Sequence, residues 1–188
     1  MSIKIVALVG SLRQGSLNRA LLREAIAAAP AGVEVEILEI SDIPLYNGDV
    51  QDQGFPESVT RLADSIRQAD GLVIVSPEYN YSISGVLKNT IDWLSRVPKQ
   101  PFAEKPVGLM GASMGAMGTV RAQNHLRQVL ICLNGLVMNK PEIYVGTAHT
   151  KFDEQGKLTD QSTRDHVAKF MVSLQTFVTR FGAAVAKA

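Results

Sequence analysis

The chain has 188 residues, 46% hydrophobic and 20% charged, a composition that fits one globular domain able to bury about 70% of its unfolded surface and excludes a disordered chain. Its formal net charge of +1 provides neither the basic excess of a nucleic-acid binder nor the acidic surface of a small electron carrier that docks by charge. A single cysteine, Cys132, cannot close an internal disulfide, and no apolar run approaches the ~20 residues needed to cross a bilayer, so a cytoplasmic protein with no nucleic-acid or membrane partner is expected.

The first element is an unbroken apolar run over residues 5–9, which turns at Gly10 into the polar segment GSLRQGSLN, residues 10–18. A helical pattern over about residues 18–29 follows, with Leu21, Leu22, Ala25 and Ile26 on one face. A strand, a short polar loop and a helix N-terminus together build an anion site. The first N–H groups of the helix lack intrahelical partners, and the dipole adds partial positive charge. Ser11, Ser16 and Asn18 add donors around Leu17, and Arg13 can fork onto phosphate oxygens. Leu12 stands where a dinucleotide fingerprint needs its second glycine, no Gly-Lys-Ser/Thr closes the loop, and no cysteine lies in it. The loop is therefore read as binding a monophosphate without doing chemistry on it. An ordinary polar turn with a Ser or Asn cap is the alternative.

Pro30 and Gly32 break the chain, and Val33, Val35 and Ile37 then alternate with Glu34 and Glu36, a half-exposed strand near a sheet edge. After the Pro- and Gly-marked loop DIPLYNGD (residues 42–49), a helix is expected from Pro56 to Gln68, with Val59, Leu62, Ala63 and Ile66 inward. A buried strand over residues 72–75 ends in SPEYNYSISG, and Val86, Leu87, Thr90, Ile91 and Leu94 mark the next helix. Another buried strand, residues 107–110, ends in GASMGAMGT before a helix over about residues 120–133. One last strand is expected over residues 136–145, interrupted by Pro141. The final helix spans about residues 162–185 with Val167, Phe170, Met171, Leu174, Phe177, Val178 and Phe181 inward. Five strands alternating with helices predict an α/β fold, a single domain over residues 1–188 built on a doubly wound parallel sheet with helices on both faces.

Ligands bind such sheets at the carboxyl ends of the strands, where the strand order reverses. With the order 2-1-3-4-5, strands 1, 3 and 4 lie side by side, and the three unusual loops follow those same strands. The second loop, Pro77, Glu78, Tyr79, Asn80, Tyr81 and Ser82, reads as an apolar and hydrogen-bonding wall for a flat heteroaromatic ring. Glu78 is the odd member, expected to point away and hold the loop by accepting backbone N–H bonds. In the third loop Gly111, Ser113, Met114 and Gly115 begin a run, completed by Met117 and Gly118, that permits close backbone approach and soft contacts. Rim packing and a flexible connection are the plainer readings of these two loops. His125, His149 and His166 lack metal spacing, and Cys132 is expected to be buried packing. Trp93 fits the core or a subunit interface. Lys88, Arg121 and Arg127 fit a solvated face, subunit pairing or attraction of an anionic pyridine nucleotide. The broadly apolar helix carrying Leu126, Val129, Leu130, Ile131 and Leu133 suits burial on two sides, as in an oligomer.

The segments GSLRQGSLN, DIPLY, PEYNYSISGVLKNTIDWLSR and HLRQVL together resemble the NADPH-dependent FMN reductases of the flavodoxin-like superfamily, specifically the chromate and quinone reductase branch. The resemblance covers nearly the whole chain. It implies bound FMN, with the phosphate held by Ser11, Arg13, Ser16 and Asn18 and the isoalloxazine by residues 77–82 and 111–115. It implies NADPH or NADH as donor, a ping-pong exchange, and quinones, chromate, azo compounds or free flavins as small-molecule acceptors. The flavin carries the chemistry, so no protein nucleophile or general acid is required. A homodimer or homotetramer with each flavin near a subunit interface is implied as well. Two other classes share the fold: a one-electron flavodoxin-type carrier, disfavoured by the near-zero charge, and a flavin-free regulatory protein, disfavoured by the complete set of phosphate donors.

Overall fold

The computed structural model describes residues 2–185. Strand β1 (Ile3–Val9) is fully buried from Ile5 onward, because it has a parallel neighbour on each side. Ile5 pairs with Val35 of β2 (Val33–Leu38) and with Gly71 of β3 (Gly71–Val75). In β2 the glutamates point outward from an edge position, as the alternation predicts. The sheet is completed by β4 (Pro106–Ala112) and β5 (Leu136–Val137) in the order 2-1-3-4-5, all parallel. The expected single last strand is two pieces. Both β5 and β6 (Ile143–Val145) pair with β4, and Pro141, which has no N–H to donate, lies in the gap between them.

Helices cover both faces. On one side lie α3 (Glu57–Gln68), α4 (Gly85–Leu94) and α5 (Val120–Cys132), packed on Val6, Leu8, Ile74 and Leu109. On the other, α1 (Leu17–Ala27) and α6 (Gln161–Val185) pack on Ile5, Ala7, Val73 and Met110. The alternation of these sheet residues is the period-2 consequence of strand geometry. Helix α6 comes close enough that a Cβ on Gly71 would lie 2.6 Å from Val178, and one on Gly108 2.7 Å from Phe170.

The DIPLYNGD segment contains a short helix, α2 (Gly48–Asp52), which the Pro and Gly marks conceal. Asn47 caps it by accepting from the Asp49 N–H. The same segment is fastened to α4. Trp93 Nε1 donates to the Pro44 carbonyl at 2.9 Å, Asn89 Nδ2 donates there at 2.8 Å, and the Tyr46 N–H donates to Asn89 Oδ1 at 2.8 Å. Trp93 is fully buried, so of its two expected places it takes the core. Among the described residues no helix is long and apolar enough to cross a membrane.

Candidate functional site

The carboxyl ends of β1, β3 and β4 are adjacent, and their three loops meet. Gly10 permits this: its N–H donates to the Val75 carbonyl at 2.8 Å, and a Cβ there would press on Ser84 Oγ and Pro77 Cδ at 2.9 and 3.2 Å. Beyond it, none of the backbone N–H groups from Ser11 to Asn18 donates to a described protein acceptor. Ser11 and Ser16 are nearly buried, each 5% exposed. Ser16 caps α1 by accepting the Arg19 N–H at 3.2 Å, which leaves its own O–H uncommitted. Arg13 is exposed and, among the described residues, has no ion pair or hydrogen bond. Asn18 takes a different place from the other donors. Its amide is bonded both ways to the backbone of Ala112, which makes it a brace between the first and third loops, with one N–H left over.

The second loop is a tight hairpin. Tyr79 and Ser82 exchange backbone bonds of 2.9 and 3.0 Å, and the two residues between them, Asn80 and Tyr81, have φ values of 50° and 67°. That is the two-residue geometry normally filled by Asn-Gly, and a tyrosine in it costs roughly 1 kcal/mol. Tyr81 stands out from the tip, 65% exposed, with the Arg121 guanidinium 4.0 Å from its ring centroid. Glu78 accepts backbone N–H bonds, as expected, but it also lines the cleft between the loops rather than lying clear of it. Its Oε2 accepts the N–H groups of Arg121 and Ala122, both at 3.0 Å, at the start of α5. Thr119, at the cap position itself, supplies no side-chain cap bond, so Glu78 complements the orphan N–H groups and the dipole of that helix. His125 Nδ1 lies 3.0 Å from Ser82 Oγ, a second tie between hairpin and helix.

The third loop is fixed rather than a flexible connection. Ser113 donates its N–H to the Val145 carbonyl at 2.9 Å and accepts the Ala148 N–H at 3.0 Å; Thr147 donates to the Gly115 carbonyl at 3.1 Å. The glycines divide by role. Gly111 is buried where a Cβ would collide with Thr119 and the Ser76 carbonyl, and a Cβ at Gly118, whose φ is 60°, would press on the Tyr144 backbone. Both serve packing, whereas a Cβ at Gly115 would meet only Ser113 Oγ, at an ordinary 3.8 Å. Met114 and Met117 are 61% and 56% exposed.

Between the loops is a cleft of about 250 Å³. Of the residues expected to line it, Ser11, Arg13, Ser16, Leu17 and Asn18 form one wall, with Glu78, Tyr79, Ser113 and Met114 opposite. Pro77, Asn80, Tyr81, Ser82, Gly111 and Gly115 lie outside the lining and shape or support the loops. Ala112 lines the cleft and was missed; its only signal is its place between two residues that were named. A wider hollow of about 400 Å³, between α3 and the turn at Val97–Lys99, has no comparable convergence of donors. The donor set fits a phosphate monoester carrying a flat ring. N–H groups without a partner among the described residues, two buried hydroxyls and an exposed guanidinium would suit a phosphate, and Tyr79, Ala112 and Met114 would offer ring contacts.

Elsewhere, Cys132 corrects an expectation: it ends α5 facing solvent, beside Ile131 at 72% exposure. His149 is exposed, and His166 Nε2 lies 3.0 Å from the Glu142 carbonyl. Among the described residues no three His, Cys, Asp or Glu side chains are grouped to hold a metal.

The sequence profile described as NADPH-dependent FMN reductase matches residues 3–150. An NAD(P)H-dependent FMN reductase of Pseudomonas aeruginosa is 50% identical over 178 residues, 95% of this chain and 96% of that one. A quinone reductase of Escherichia coli is 51% identical over 181 residues, with the same shares covered. Among solved structures, FerB, a flavoenzyme NAD(P)H:(acceptor) oxidoreductase from Paracoccus denitrificans, superposes with a TM-score of 0.86 at 33% identity, over 95% of this chain and 98% of that one. The chain belongs to the NADPH-dependent FMN reductase family.

Proposed function

We propose that this protein takes electrons from NADPH or NADH and delivers them to quinones, with chromate, azo compounds and free flavins as further acceptors. Family membership makes it an oxidoreductase working with FMN and NAD(P)H. Bound FMN would supply the two-electron redox chemistry. The protein's share is to bind and orient. Ser11, Arg13, Ser16, Leu17 and Asn18 would hold the phosphate at the N-terminus of α1. Pro77, Glu78, Tyr79, Asn80, Tyr81 and Ser82 would build and brace one side of the ring site, and Gly111, Ser113, Met114 and Gly115 the other. Donor and acceptor would occupy the same open cleft in turn, a ping-pong order.

The observation that carries this reading is that Ser11, Arg13, Ser16, Leu17 and Asn18, whose backbone N–H groups have no partner among the described residues, line one cleft with residues of the hairpin and the third loop. Exposed Ile131 and the groove between α4 and α5, lined by Ile91, Val129 and Leu133, support a homodimer or homotetramer. A free, exposed Cys132 suits a reducing cytoplasm.

The test is the visible spectrum of the purified protein, followed anaerobically after adding NADPH. A yellow protein bleached in one two-electron step and recoloured by a quinone is the expected result. A yellow protein that ignores pyridine nucleotides, or a colourless one that refuses added FMN, overturns the proposal.

A further inference from the structure

The methionines divide by place. Among the described residues Met110, Met138 and Met171 are buried, whereas Met114 and Met117 stand exposed, both on the third loop. Of these two, Met114 lines the cleft and Met117 does not. The loop that carries them is held in place. Gly118 donates its N–H to the Gly115 carbonyl at 3.1 Å, and a Cβ at Gly146 would collide with the Ala116 carbonyl. A change of polarity at the Met114 sulfur is therefore felt at a fixed point of the cleft lining, which it shares with Leu17, Tyr79 and Ala112.

We propose that Met114 is a redox modification site, at which oxidation to the sulfoxide by hydrogen peroxide and the binding of FMN oppose each other. In the step, a lone pair of the thioether sulfur takes one oxygen atom of the peroxide, the O–O bond breaks, and the second oxygen leaves as water. The sulfur is oxidised by two electrons and the peroxide reduced by two. No thiolate or other ionised group is needed, so solvent access to the sulfur decides which methionine reacts. The thioether offers a flat ring a soft, apolar contact. The sulfoxide sets a hydrated polar group in the same position and weakens that contact. Bound FMN in turn covers the Met114 sulfur and leaves Met117 open. The inference rests on the FMN site proposed above.

The test treats the flavin-free and the FMN-loaded full chain with hydrogen peroxide and locates the added oxygen by peptide mass spectrometry, a readout independent of turnover. In the flavin-free chain Met114 and Met117 should be oxidised and Met110, Met138 and Met171 spared. FMN should slow oxidation of Met114 several-fold and leave that of Met117 unchanged. Fluorescence titration should then show FMN bound about tenfold more weakly after oxidation, with the affinity restored by a methionine sulfoxide reductase. Met114→Leu should bind FMN equally before and after peroxide, while Met117→Leu should still lose affinity. Because Met114→Leu keeps the exposed Cys132, a loss arising at that thiol would persist in it and overturn the proposal. Oxidation of Met114 at one rate with and without FMN, or unchanged affinity of the sulfoxide form, overturns it as well. Failure of the untreated chain to bind FMN would refute the FMN site and the proposal together, whereas the other outcomes refute the proposal alone.

Discussion

Asn18 and Ala112, 94 residues apart in sequence, exchange two hydrogen bonds like neighbours in a sheet. The Asn18 Nδ2 donates to the Ala112 carbonyl at 2.9 Å, and Oδ1 accepts the Ala112 N–H at 2.8 Å. The side chain thereby extends the edge of β4 to the first turn of α1 and sets the width of the cleft. Asn18 is 4% exposed, so truncation leaves a buried N–H and a buried carbonyl without partners. Asn18→Ala should cost about 2 kcal/mol and weaken FMN retention as well. Denaturant unfolding of the apoprotein, with an unchanged m-value, checks the first part, and flavin content after dialysis the second. Lost flavin with unchanged stability would make Asn18 a phosphate ligand only.

Arg13 should behave in the opposite way. It is exposed and, among the described residues, unbonded, so its removal takes nothing from the fold described. Arg13→Ala should leave the apoprotein unfolding midpoint unchanged and weaken FMN binding about tenfold, the worth of one charge-assisted phosphate contact. Fluorescence titration with FMN measures it, and unchanged affinity would remove Arg13 from the site.

The buried strands and the three unusual loops were legible in the sequence because buried parallel strands read as apolar runs and their loops as breaks in pattern, whereas the strand order 2-1-3-4-5 entered as an assumption that the sheet bears out. That Glu78 accepts backbone N–H bonds was legible too, although its place in the cleft lining was not expected of a carboxylate beside an anionic ring. Other features depend on contacts between distant segments. Nothing near Asn18 announces Ala112, and nothing near Gly111 announces that its missing Cβ makes room for Thr119. The burial expected for Cys132 came from an apolar stretch of helix. The periodicity of α5 cannot say which of its apolar residues remain uncovered in one chain. The split between β5 and β6 was hinted at by Pro141, but both pieces pairing with β4 is a property of the whole sheet.

Glu78 combines two functions that one substitution separates. Its carboxylate caps α5 and borders the cleft, with 9% of the side chain exposed. Glu78→Gln keeps an acceptor but removes the charge at the helix N-terminus, which should cost about 0.5–1 kcal/mol. Removing a negative charge beside the ring site should also raise the midpoint potential of bound FMN, because the reduced, anionic ring is no longer opposed. Calorimetric melting and a redox titration read the two effects. A lowered potential would mean that the carboxylate is screened from the ring.

The pair of Arg19 and Glu39 should contribute acid-sensitive stability. Two bonds of 2.8 and 2.9 Å join them, and that hydrogen bonding holds the Glu39 carboxyl below its ordinary value against a smaller opposing effect of burial. A carboxyl depressed in the folded state contributes stability that is fully present above its unfolded pKa and is lost as the pH falls through the folded value. Arg19, raised by the same bond, stays charged throughout and adds no pH dependence in that range. With 57% of the Glu39 side chain exposed, the contribution is small, roughly 0.5 kcal/mol. Glu39→Gln should therefore unfold slightly more easily than the wild type at neutral pH, and the gap should close in acid once the wild-type carboxyl is protonated. Urea midpoints at several pH values test this, and a gap that persists in acid would show that Glu39 acts through packing rather than charge.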